Sequence, residues 1–416
     1  MALSLAFHIV FAVAGMGMPL LMALSEWRWL RRGEAVDLLL AKRWAKGAAV
    51  LFAVGAVSGT VLSFELGLLW PNFMAWAGAI IGMPFSLEGF AFFTEAIFLG
   101  VYLYGWDRVS PRAHFAAGLL VAISGAASGV FVVFANAWMN TPAGFRLVDG
   151  RPVDIQPFAA MFNPSALQQS VHMLLAAYAA VGFAVAGIHA FPLLREARNL
   201  FHQRALELGL LMGGIGAILQ PLSGDFLAKA VARNQPVKLA AMEGHFETKA
   251  RAPLRVGGIE VPGLLSFLAY GDIDHVVQGL NDFPRDTWPP IAPVHLSFQL
   301  MVGCGGVMAL VAVWGAWRQW RSKALSASRI FLWTVVASGP LGIIAVEAGW
   351  IVTEVGRQPW IIQGVMRTAD AVTPATGVVA PLLLFAGIYL FLACIVVMLL
   401  IRQVESSPQV TEGASD

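Results

Sequence analysis

The chain has 416 residues, of which 58% are hydrophobic and only 12% charged, about half the charged share of an ordinary soluble domain. A net charge of +2 gives no electrostatic basis for nucleic-acid binding, and two cysteines, Cys304 and Cys394, support neither a disulfide framework nor a cysteine metal site. What remains is a polytopic membrane protein, whose 14 tryptophans and 27 phenylalanines suit interfacial rings or bulky buried ligands.

In chain order, nine apolar stretches are long enough to cross a bilayer, for which about 20 helical residues suffice. They lie near 3–25, 47–70, 85–105, 114–137, 168–192, 206–223, 294–316, 328–351 and 377–401. The first has no basic segment before it and is read as a span, not a cleaved leader. Arg28, Arg31, Arg32, Lys42, Arg43 and Lys46 follow it; Arg108, Arg112, Arg195, Arg198, Arg204, Arg318, Arg321 and Lys323 fill the alternate loops. The loop 71–84 has no basic residue and 138–167 only Arg146 and Arg151. The positive-inside rule therefore predicts an all-α protein with its N-terminus outside and its C-terminus cytoplasmic. The chain divides into six spans over 1–223, an outer loop over 224–293, three spans over 294–401 and a polar, disordered tail over 402–416. Seven prolines punctuate the outer loop, which is expected to be irregular, with one short helix around 236–247, and the residues give no basis for a sheet. Neither a nucleotide-binding glycine pattern nor an inverted repeat is evident.

With that orientation, His8, Glu88, Glu95, His172, Met301 and Glu347 all fall in the outer half of the membrane. Ionisable groups at such depth are functional candidates by default. Glu88 and Glu95 are seven residues apart, nearly two helical turns, and so share one face; they read as proton-handling carboxyls or as a pair kept protonated by burial and mutual repulsion. A histidine and a methionine at one depth are the types that hold a six-coordinate haem iron, while each alone reads equally as packing or an interhelical hydrogen bond. In the outer loop, Lys238 and Glu243 flank an apolar patch where a carboxylate and a lysine would serve a quinol that loses protons as its electrons leave; the plain alternative is a solvated amphipathic segment. His245 is a second candidate base.

Four runs carry a resemblance: LEGFAFFTEAIFLGVYLYGWDR (87–108), FANAWMNTP (134–142), QPVKLAAMEG (235–244) and VEAGWIVTEVGRQPW (346–360). Over all but its tail the chain resembles subunit I of the cytochrome bd-type quinol:oxygen oxidases. The resemblance implies three haems, a low-spin haem b, a high-spin haem b and a haem d, held in the outer half of the bundle, with quinol as electron donor. His172 and Met301 resemble the axial ligands of the low-spin haem. His8 and Glu347 resemble ligands of the high-spin pair, without being divided between its two irons. Glu88 resembles the carboxylate beside the oxygen-reducing haem, Glu95 the proton-channel carboxylate, and Lys238 with Glu243 the quinol-site pair. Arg357 in GRQPW is placed to hold a haem propionate, and Glu354 has a surface or propionate-side role. The resemblance also implies a second membrane subunit, a small accessory transmembrane subunit, contact with lipid and quinol, and the bacterial cytoplasmic membrane as location.

Three departures from the family pattern stand out: only MALSLAF precedes His8, the Glu88–Glu95 interval is one residue shorter than the commonest form, and Gln299 stands where an arginine is usual. They leave a rival within the family, a diverged redox subunit with altered haems or lost oxidase activity. The rival from another class is an ion-coupled secondary transporter, against which the lack of paired, interrupted helices counts.

Overall fold

The computed structural model describes residues 1–256, 259–322 and 325–408. Among the described residues nine helices are long and apolar enough to span a membrane: Ala2–Arg32, Ala35–Leu69, Pro71–Tyr104, Pro111–Asn140, Ala166–Leu193, Leu200–Asn234, Ile291–Arg321, Arg329–Val355 and Val379–Glu405. They are called here the first to ninth helices. Their starts follow from local chemistry. Pro71 and Pro111 occupy first-turn positions where no N–H is needed, and Ser110 Oγ accepts from the Ala113 amide. The first helix stops at Gly33, whose φ of 74° lets its amide return to the Trp29 carbonyl. The eighth is interrupted at Gly339 and Pro340, giving Arg329–Ser338 and Leu341–Val355, because a proline cannot donate to the preceding turn.

The sixth helix differs most from its predicted span. It runs from Leu200 to Asn234, whereas hydropathy suggested 206–223. Its ends carry Arg204, Glu207, Asp225 and Lys229, which a hydropathy window rejects but which pair locally: Arg204 with Glu34 and Glu207, and Lys229 with Asp225. The predicted tail is helical to Glu405; its residues 409–416, and Lys323 of the basic count, lie outside the described residues.

The fifth helix is central, touching the first, fourth, sixth and eighth. It crosses the sixth backbone to backbone. A side chain at Gly213 would begin 2.9 Å from the Phe183 nitrogen, and one at Gly216 2.9 Å from the Ala179 nitrogen. Small residues at such crossings let main chains approach where lipid offers no hydrophobic drive for association.

The short loops after the first, third, fifth and seventh helices gather at one end of the bundle, where Lys42 lies over Trp106, Arg204 pairs with Glu34 and Gln203 meets Ser326. Two buried pairs and one at the surface close that end: Glu26 with His114 at 2.7 Å, His189 Nδ1 with His202 Nδ1 at 2.9 Å, and Arg43 donating to the Gln403 and Ser406 carbonyls at 3.1 and 2.6 Å. At the opposite end the outer loop forms the predicted short helix, Pro236–Glu243, and another, Leu264–Tyr270. It also carries two small antiparallel pairings for which the residues gave no basis, Lys249–Ala250 with Val276–Val277 and Leu254–Val256 with Ile259–Val261. Two- and three-residue strands leave no hydrophobic alternation to detect.

Candidate functional site

Two histidines are built alike. His8 Nδ1 is 2.9 Å from Ser58 Oγ, and that hydroxyl spends its proton on the Val54 carbonyl at 2.9 Å. Ser58 must therefore accept from Nδ1–H, which leaves the Nε2 lone pair free. His172 Nδ1 is 3.0 Å from Ser223 Oγ, whose proton goes to the Gln220 carbonyl at 2.9 Å. Its Nε2 is again the acceptor nitrogen, approached by Gln220 Nε2 at 3.0 Å. A serine on the next helix thus fixes each imidazole in the form that binds a metal. Glycines make room: Gly59 lies under the His8 ring, and a side chain at Gly224 would begin 3.5 Å from His172 Cε1.

Met301, on the seventh helix, rests its sulfur on the eighth, 3.1 Å from where a side chain at Gly349 would begin. His172 rests on the sixth, so the two side chains have different supporting neighbours. Glu347 lies two residues before Gly349, half-buried, with Oε1 lacking any hydrogen-bond partner among the described residues. A buried, unsatisfied carboxylate oxygen is costly unless something else completes it.

Glu88 and Glu95 do share a face, turned toward the fourth helix. Ser128 Oγ donates to Glu88 Oε1 at 3.2 Å, and a side chain at Gly125 would begin 3.2 Å from the Glu95 carboxyl. Glu95 is 5% exposed.

In the outer loop, Lys238 and Glu243 are 5% and 7% exposed, which removes the solvated-segment reading. Five residues of helix turn them about 140° apart. Lys238 Nζ donates to Asn140 Oδ1 at 3.2 Å and to the Thr353 carbonyl at 3.1 Å. Burial, then the nearby Arg357 cation, push its amine down to about 7, against an opposing pull from Glu354. Burial pushes the Glu243 carboxyl up to about 7, and its Oε2 has no hydrogen-bond partner among the described residues. His245 is held down by burial, with Nε2 3.4 Å from the Val277 carbonyl.

Arg357 is 1% exposed. Its Nη2 donates to Glu354 Oε2 at 2.5 Å, while Nε and Nη1 have no acceptor among the described residues. Glu354 is half-buried, its side chain 29% exposed, and Asn136 Nδ2 donates to its other oxygen. Two free donors on a buried guanidinium fit a carboxylate of a bound group.

Sequence reasoning missed the two serines, Asn136 and Asn140, and His295, whose Nδ1 donates to the Met242 carbonyl at 2.7 Å. Histidine parity of depth was readable; serine partners on other helices carry no spacing signal. Among the described residues no three of His, Cys, Asp and Glu converge into a metal cage. Singly placed ligands suit a porphyrin, where the macrocycle supplies the remaining donors.

A family model described as "Cytochrome bd terminal oxidase subunit I" matches residues 1–408. The "Putative cytochrome bd menaquinol oxidase subunit I" of Bacillus subtilis is 38% identical, over 97% of this chain and 95% of its own. "Cytochrome bd-II ubiquinol oxidase subunit 1" of Escherichia coli is 28% identical, over 93% and 91%. Among solved structures, the bd oxidase from Geobacillus thermodenitrificans superposes with a TM-score of 0.92 at 40% identity, covering 98% of this chain and 97% of that one.

Proposed function

The chain belongs to the cytochrome bd terminal oxidase subunit I family, and on that premise we propose a division of labour between its two ends. It is an oxidoreductase subunit of the bacterial inner membrane, and membership implies a second membrane subunit beside it. The family match removes the transporter reading.

The end bearing Lys238 and Glu243 faces outside and takes quinol; the arginine-rich end faces the cytoplasm. Glu243, whose buried Oε2 has no competing partner among the described residues, accepts a proton from a quinol hydroxyl. Lys238 steadies the oxygen that develops negative charge. Haem, when bound, supplies the one-electron chemistry that links quinol oxidation to reduction of oxygen to water. His172 and Met301 would hold a low-spin haem b, and His8 and Glu347 the high-spin haem b and haem d. Arg357, with two free donors, would hold a propionate. Glu95 and Glu88 keep protons at the inner face of this site, drawn from the cytoplasmic side. Two quinols release four electrons and four protons outside; one oxygen takes four electrons and four inner protons to give two waters.

The observation that carries the reading is the pair of imidazoles that each commit Nδ1 to a serine, which makes Nε2 the acceptor nitrogen, without a partner among the described residues at His8 and met by Gln220 Nε2 at His172. A reduced-minus-oxidised spectrum with a pyridine haemochrome count, followed by oxygen uptake on reduced quinol, tests it. Glu95→Gln should keep the haem spectrum and lose at least about 10-fold in oxygen uptake. A haem-free protein, or haems without quinol-driven uptake, overturns the reading.

A further inference from the structure

The run FANAWMNTP places two asparagines, Asn136 and Asn140, one turn apart at the outer end of the fourth helix. Asn140 is 1% exposed, and every hydrogen-bonding position of its amide is occupied. Oδ1 accepts from Gln235 Nε2 at 3.1 Å and Lys238 Nζ at 3.2 Å. Nδ2 donates to the Asn136 carbonyl at 2.9 Å and to Asn136 Oδ1 at 3.1 Å. Only one orientation satisfies this set, because a flipped amide would turn its NH2 on the ammonium. From Asn136 the chain of bonds continues through Nδ2 to Glu354 and from there to Arg357. The stem of Lys238 crosses Gly356, where a side chain would begin 3.1 Å from Cε, so the lysine has one path to its acceptors.

We propose that Asn140 is a positioning residue for quinol oxidation: its Oδ1 fixes the Lys238 ammonium, and its Nδ2 ties that ammonium through Asn136 to the Glu354–Arg357 pair. This inference rests on the quinol role given above to Lys238. Two of the ammonium's three N–H bonds go to Asn140 and the Thr353 carbonyl, and the third is the one offered to a quinol oxygen. The charged groups that act on it are Arg357, of like sign, and Glu354, of opposite sign. Asn140 sets the proton affinity of Lys238, and Arg357 feels the result, because coupling between two sites is reciprocal. One strut thereby joins the outer loop to the fourth and eighth helices.

The test is the pH profile of quinol-driven oxygen uptake by the whole oxidase in membranes, with a small one-electron donor that needs no quinol hydroxyl as control. Asn140→Asp sets a carboxylate against Lys238 and should move the alkaline fall in rate upward by about one pH unit, while Asn140→Leu, of similar volume without an acceptor, should move it downward by about as much. Uptake from the small donor should stay within about twofold, as it bypasses the site. Shifts of opposite sign at one position are not expected of a purely structural residue. Equal-sign shifts, or none, overturn the inference. If Asn140→Leu loses its haem spectrum, the sign of the Asn140→Asp shift decides alone. Lys238→Met separates the two levels. Full quinol turnover with an unchanged alkaline limb in that variant refutes the role of Lys238 itself, whereas a lost limb there with unmoved Asn140 variants refutes only the strut.

Discussion

Replacing Lys238 by methionine should strengthen the outer loop while disabling it. The amine is pushed from 10.5 down to about 7 in the folded protein, which corresponds to a cost of about 5 kcal/mol for keeping it charged. The folded pKa lies below the unfolded one, so this cost is fully present below about pH 7 and fades as pH rises toward 10.5. Against it stand the hydrogen bonds to Asn140 and Thr353, worth about 1 kcal/mol each once the amine is neutral. Methionine fills much of the same volume and needs no partner. The variant should therefore be more stable by a few kcal/mol at pH 6, with the advantage shrinking above pH 7 and reversing near pH 10. Amide exchange of Pro236–Glu243, followed across that range beside quinol turnover, reads both effects. An advantage that is flat with pH, or a variant less stable at pH 6, would refute the assignment of the burial cost to this ammonium.

Three further outcomes follow from the site. Burial holds the Glu243 carboxyl near pH 7, so quinol oxidation should rise with pH through that point as the base form appears; Glu243→Gln should remove this acid limb, and a retained limb counts against Glu243 as base. Ser58→Ala and Ser223→Ala strip the acceptor that orients His8 and His172. Each should weaken retention of its haem by about 10–100-fold, read by spectroscopic haem loss to an apo-globin acceptor. Gly213→Val drives a branched side chain into the Phe183 backbone, a strain of at least about 1–3 kcal/mol, and should cut assembled protein in the membrane; normal yield and melting behaviour would contradict the close crossing.

Much of the architecture could be read from the residues because a bilayer admits few solutions. Apolar length finds the helices, and seven-residue spacing puts Glu88 and Glu95 on one face. The sixth helix was underestimated for the same physical reason: hydropathy reports where lipid is, and this helix extends beyond it on paired charges such as Lys229 with Asp225. Of the candidate site, the residue types with distinctive chemistry are the ones a sequence offers, namely His8, His172, Met301, Glu347 and Arg357. Their supports are not. Ser58 and Ser223 reach the histidines, and Asn140 reaches Lys238, from other helices, and a serine in an apolar helix looks the same whether it bonds its own turn or a neighbour's imidazole.

The glycine crossing of the fifth and sixth helices has a mechanical consequence. Main chain bears on main chain there, with no flexible side chains between to take up displacement. The two helices act as one stiff beam. His172 hangs from one half of that beam and the serine and glutamine that orient it hang from the other, so the ring and its supports are borne by the one pair of helices that has no side-chain cushion between them.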